Sequence, residues 1–154
     1  VEPQDYRALM RAAILSADPT ASVIDPAVVV PEQLAPRLHP RGTPASSYWQ
    51  HDLTVRQAFN ACVEMATTAD VVVSYLPSAS MGSAIELHAA RAAGRLILVI
   101  APGNMRGNWV VRSYADQVFE DFARMQAWLA ERSQPRLAKE PLTPAAAAAA
   151  AAAA

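Results

Sequence analysis

Two apolar runs, Val71-Val72-Val73-Ser74-Tyr75-Leu76 and Leu96-Ile97-Leu98-Val99-Ile100, constrain this chain more than any other feature. Neither alternates polar with apolar residues, so each reads as a central parallel strand covered on both faces. Between them, an Ala-rich helical stretch starts at Ser83 and stops at Gly94, a natural residue just past a helix end. Strand, helix and strand in that order make a parallel crossover.

The flanking segments extend the same alternation. Residues 4–16 place Tyr6, Leu9, Met10, Ala13 and Ile14 on one helical stripe, and Asp18-Pro19 stops it. Residues 22–25 read as a short strand closed by Pro26, and Val28-Val29-Val30 as its extension or an edge. Asp52 caps a helix predicted to run to Thr68, with Val55, Phe59, Cys62, Val63 and Ala66 on its buried face. A final amphipathic helix is predicted over residues 116–132, with Val118, Phe122, Met125 and Leu129 on one side. The order predicts an α/β fold, a doubly wound (flavodoxin- or Rossmann-like) parallel sheet in a single domain over residues 1–135. Residues 136–154 end in an unbroken alanine run and are expected to be an unstructured tail.

Composition removes several classes of function. A chain of 154 residues holds one domain with a sizeable core. A formal net charge of −1 leaves no broad basic surface for nucleic acid. The single cysteine, Cys62, permits no intrachain disulfide and fits a reducing compartment. No apolar run reaches the roughly 18 residues of a membrane span, and the first residues lack a basic-then-apolar leader. A cytoplasmic protein with no membrane partner is expected. His39, His51 and His88 share no metal-binding spacing, so no metal and no cofactor are expected.

Folds of this class bind ligands beyond the C-terminal ends of their strands. The loop Pro77 to Ser83 lies there, followed by Glu86. Gly82 lets a ligand approach the backbone, the amides at the helix start suit an anion or a sugar oxygen, and Ser80 and Ser83 add hydroxyls. Ser83-x-x-Glu86 also reads as a capping box, in which Glu86 bonds back to the Ser83 amide. Both roles stay open on the residues alone. A second excursion, residues 31–47, contains four prolines and has the length of a functional lid.

The run Ala69-Asp70-Val71-Val72-Val73-Ser74-Tyr75-Leu76-Pro77, followed by Ser80-Met81-Gly82-Ser83-Ala84-Ile85-Glu86-Leu87, resembles the nucleoside 2-deoxyribosyltransferase superfamily. That superfamily includes the 2′-deoxynucleoside 5′-monophosphate N-glycosidases, and the resemblance spans residues 52–129. It implies that Glu86 is a nucleophile attacking the sugar C1′ carbon of a nucleoside or nucleotide. It implies that Ser80 binds a 5′-phosphate, with Gly82 and Ser83 beside it. It implies that Asn108 reaches a neighbouring subunit's sugar, with Asp116 at the matching interval, in a homodimer or higher homo-oligomer. Asn108 also reads as a turn residue before Trp109.

The family's first strand and its tyrosine-containing loop do not appear in this chain, so the implied sheet lacks its first strand. The family's helper aspartate falls on Cys62, with Asp52, Asn60 and Glu64 as possible replacements. Arg41, Arg106 and Arg112 are candidates for a phosphate clamp. Tyr48-Trp49 reads as a base-stacking lid or as a packed loop anchor. Two alternatives remain: a nucleotide-binding or sensing module without turnover, and a phosphoribohydrolase-like enzyme. The latter would pair its Glu with a helical Arg, for which Arg91 is poorly spaced.

Overall fold

A computed structural model of the chain describes residues 5–34, 37 and 49–133. In chain order the elements are α1 (Asp5–Ala17), α2 (Pro26–Val29) running into a π turn (Val30–Leu34), α3 (Asp52–Thr68), β1 (Val71–Tyr75) and α4 (Met81–Ala92). Then come β2 (Leu96–Ile100), a 3₁₀ turn (Gly103–Gly107), α5 (Trp109–Tyr114), β3 (Gln117–Phe119) and α6 (Phe122–Ser133). The three strands form a parallel sheet in the order β1-β2-β3. Tyr75 lies opposite Ile100, and Ile100 opposite Phe119, so the three strands end together.

The middle strand explains the layers. Ile97, Leu98, Val99 and Ile100 are all fully buried, and successive residues face opposite sides of a strand. Ile97 and Val99 pack with Val72 against Ala66 of α3, Leu87 and Ala90 of α4, and Val111 of α5. Leu98, Ile100 and Phe119 pack with Val73 and Tyr75 against Met10 and Ala13 of α1 and Phe122, Met125 and Trp128 of α6. Each buried aliphatic side chain contributes about 1.5–3 kcal/mol, so the unbroken apolar run at 96–100 fixes this strand between two helical layers. The α/β, parallel-sheet, Rossmann-like character expected from the sequence is present.

Several local expectations need correction. Residues 22–25 form no strand. Asp25 caps α2 instead, accepting the Ala27 N–H at 2.9 Å, with Pro26 in the first helical turn. That Asp-Pro pair is a helix-start signal. The predicted helix over 116–132 is a three-residue strand followed by α6, and a short α5 precedes it. Three residues with Gln117 in the lead are too few to display a strand period. The strand at 71–75 is an edge of the sheet among the described residues, and Val71 is exposed there.

On α3, Asp52 is the first helical residue, His51 is the cap, and the buried residues are Thr54, Ala58 and Ala66, whereas Val55 is exposed. At the end of α4, Gly94 adopts φ +71°, and the N–H groups of Gly94 and Arg95 reach back to Arg91 and Ala90, both at 3.0 Å. This paired turn needs a left-handed residue, which only glycine supplies cheaply. No helix among the described residues is long and apolar enough to cross a membrane.

Candidate functional site

The loop after β1 opens onto the common end of the strands, and its first structural fact concerns the cap. Ser80, not Ser83, is the N-cap of α4. Its Oγ accepts the Ser83 N–H at 3.3 Å and the Ser83 hydroxyl at 3.2 Å. The helix therefore begins two residues earlier than the sequence reading had it. Glu86 stands six residues past the cap, more than a turn and a half into α4, beyond reach of the free amides of the first turn. The capping-box reading of Ser83-x-x-Glu86 is thereby overturned.

Among the described residues, the Glu86 carboxylate has no hydrogen-bond or ion-pair partner. It is half-buried. Burial pushes its pKa above the usual glutamate range, and the charge of Arg7 partly opposes that rise. Cys62 of α3 faces the same space. Burial raises its thiol pKa, and the Glu86 charge raises it further. Asp52, Asn60 and Glu64, the other candidates for a helper group, are exposed. A Cβ placed on Gly82 would meet Phe59 Cε2 at 3.5 Å and Ser80 Oγ at 4.0 Å, ordinary contacts. Packing alone does not demand a glycine there.

The opposite wall comes from α1. The Tyr6 ring lies 4.9 Å from that of Tyr75, the last residue of β1, and Tyr75 lies 5.0 Å from Phe122. The Arg7 guanidinium sits 5.1 Å over the Tyr6 ring and forms an ion pair with Asp25. Sequence reasoning missed both Arg7 and Asp25. The Asp25-Pro26 cap was a legible signal for the second, while nothing in the α1 stripe marks Arg7 as facing a carboxylate.

The other expected site residues divide by location. Asn108 lies past the end of β2, at the same end of the sheet as Glu86. Its side-chain oxygen caps α5, accepting the N–H groups of Val110 at 2.9 Å and Val111 at 3.4 Å. Asp116 lies at the opposite end, where the strands begin. It accepts the Ile97 N–H at 2.8 Å and pairs with Arg91 at 2.6 Å. Within one chain it is not brought to Glu86. Arg106 pairs with Glu120 at 3.4 Å. Arg112 lines an open depression of about 360 Å³ with Trp109 and Ser113. Arg41, His39 and Tyr48 lie outside the described residues, and Trp49 is exposed. His88 is exposed and shares a 3.2 Å hydrogen bond with Tyr114. Among the described residues, no group of His, Cys, Asp or Glu side chains is arranged to hold a metal ion.

The site thus assembles one solvent-reachable, partly desolvated carboxylate, two serine hydroxyls, a helix start and an aromatic wall at the end of a parallel sheet. No protein-family model and no curated protein matches the chain.

Proposed function

We propose that this protein cleaves or transfers at the N-glycosidic bond of a nucleoside or nucleoside 5′-monophosphate, with Glu86 as nucleophile. A single observation supports the reading: Glu86 has no capping role and lies half-buried among Cys62 and the Arg7 charge at the ligand end of the sheet. A carboxylate there can attack the sugar C1′ carbon as the C1′–N bond breaks, the bonding pair leaving on the base nitrogen, which takes its proton from water. The resulting glycosyl ester is resolved by water or by an acceptor base. Ser80, Ser83 and the first amides of α4 would take the 5′ end of the substrate, and Asn108 would meet its rim. The sheet edge at β1 and the implied homo-oligomer belong to the same reading: a further strand would complete a doubly wound sheet.

The test is release of free base from a panel of nucleosides and their 5′-monophosphates. E86Q and E86A should lower turnover by about a thousandfold or more, the scale of removing a nucleophile. Parent-like turnover in either variant sinks the assignment.

A second reading, a nucleotide-binding module without turnover, is favoured by Cys62. Its thiol is held protonated by burial and by Glu86, so it is no substitute for an ionised helper acid. A nucleotide that raises the melting temperature without any base release selects this reading. The phosphoribohydrolase-like alternative loses its arginine, because Arg91 is committed to Asp116 at the far end of the sheet.

A further inference from the structure

The backbone of β1 carries polar groups that neither the sheet nor the proposed reaction uses. The Leu76 N–H donates to the Ile100 carbonyl at 2.8 Å, and the Leu96 N–H donates to the Asp70 carbonyl at 3.4 Å. Val71 lies opposite Leu96, and Tyr75 opposite Ile100. In a parallel pair, alternate residues of a strand turn both backbone groups toward the partner. Residues 70, 72, 74 and 76 therefore face β2, and the N–H and C=O groups of Val71, Val73 and Tyr75 point away from it. Among the described residues, no hydrogen bond reaches those outward groups. Only Val71 is well exposed, and the rest of the strand is half-buried. Native folds rarely leave backbone groups partly out of water without partners.

We propose that the outer edge of β1 is a docking site for one extended peptide strand of a partner protein, apolar on both faces and matching the five residues of β1 in length. The ladder of outward N–H and C=O groups selects an extended backbone, and the layers on either side select its side chains. The inference does not depend on the reaction assigned to Glu86.

Edges that must stay unpaired are blunted by charges, prolines or bulges. The β1 sequence Val-Val-Val-Ser-Tyr has no charge and no proline, and its register with β2 runs without a bulge. Val73 and Tyr75 pack toward α1, while Val72 packs toward α3 and α4. An added strand would send its alternate side chains to the same two layers. On α3, Val55, Phe59, Cys62 and Ala66 recur at helical spacing, yet Val55 is exposed and Phe59 and Cys62 are only half-buried. The stripe is incompletely covered because α3 packs mainly on α4, which itself lies over β1 and β2. Packed helices stand about 8–10 Å apart, roughly two strand spacings of about 4.8 Å, so α3 stands beyond the β1 edge. A second copy paired there by a two-fold axis would bring its own α3 to the same place. The edge therefore has room for a single strand and not for another sheet.

The experiment is amide hydrogen exchange in the full chain, read residue by residue by nitrogen-15 NMR, with sedimentation equilibrium on the same sample. In the chain alone, the Val71, Val73 and Tyr75 amides should exchange about tenfold or more faster than those of Val72 and Ser74, which are bonded to β2. The probe is a synthetic peptide with the sequence of residues 96–100, flanked by lysines for solubility, because that strand already pairs with β1 and is apolar on both faces. At millimolar concentration it should slow exchange of the three outward amides by about tenfold or more, with a sedimenting mass of one chain and one peptide. The same peptide N-methylated along its strand keeps its side chains but cannot lie against a strand edge, and it should protect none of the three. Three amides already as slow as their neighbours in the chain alone overturn the proposal. So do amides that the unmethylated peptide leaves unchanged, or that the N-methylated peptide protects equally well. Protection that grows with protein concentration alone, at a mass of two chains, gives the edge to a second copy and overturns it as well.

Discussion

Two carboxylates stand at opposite ends of the same sheet, and the fold treats them in opposite ways. Asp116, where the strands begin, is fully employed. One oxygen accepts the Ile97 N–H and the other takes the Arg91 guanidinium, while the Asp116 N–H returns a 2.9 Å bond to the Ile97 carbonyl. Beside it, Arg95 donates to the Thr67 carbonyl at 2.6 Å and ties the end of α3 to the start of β2. Glu86, where the strands end, has been taken out of water without a hydrogen-bonding partner among the described residues, and its pKa rises in consequence. Satisfied polar groups hold a fold together, whereas partly desolvated ones store free energy that a ligand can release. The comparison teaches that the sheet is fastened at one end and kept open at the other.

Replacing Asp116 tests the fastened end and should give the largest change in stability. D116A leaves the partly buried Ile97 N–H unpaired and frees Arg91. A charged hydrogen bond of this kind is worth about 1–3 kcal/mol, to be read from urea unfolding. Nucleotide-induced stabilisation should persist. If D116A instead abolished nucleotide binding and left unfolding unchanged, the division between the two ends would fail. The next effect belongs to Asn108, which stands at the open end but caps α5. N108A should cost about 1 kcal/mol, the usual value of a lost cap, and N108D should recover it. A loss of ligand response in N108D at parent-like stability would show that the amide group meets the ligand, which sharpens the contrast with Asp116.

How far the sequence disclosed this arrangement depends on the length over which each signal extends. The residues 96–100 are apolar throughout, and a strand covered on both faces buries four of the five, Ile97 to Ile100. The α3 and α4 stripes repeat over several turns, and Gly94 marks its turn by a conformation other residues avoid. Short elements left no comparable trace: β3 has three residues and α5 six, so each is specified by what it packs on, Phe119 on Ile100 and Val111 on the α4 face. The site was legible in part. A glycine, two serines and a glutamate after an apolar strand singled out the loop at this end of the sheet. The choice between Ser80 and Ser83 as the cap was not legible, because both are good caps three residues apart, and that choice decides whether Glu86 is structural or free. Arg7 was invisible for a different reason. Its relation to Glu86 joins residues 79 positions apart in sequence and exists only once α1 has folded against the end of β1.

The smallest predicted effect bears most directly on the open end. Glu86 is desolvated with only partial compensation, so its charge costs the folded state something. Below the ordinary glutamate range, near about pH 3, the group is protonated in folded and unfolded chains alike, and the cost is absent. As pH rises through the raised folded-state value, the folded chain must hold a charge that the unfolded chain holds more easily, so stability falls. E86Q removes the charge and keeps the shape. At about pH 8 it should therefore melt higher than the parent, by a few degrees at most because the group is only half-buried, and the difference should vanish near about pH 3. R7Q should widen the gap between the parent carboxylate and its glutamine variant at neutral pH, since it removes the charge that offsets burial. An E86Q variant that melts lower than the parent at about pH 8 would mean that Glu86 is fastened as Asp116 is, and the two ends of the sheet would no longer differ in kind.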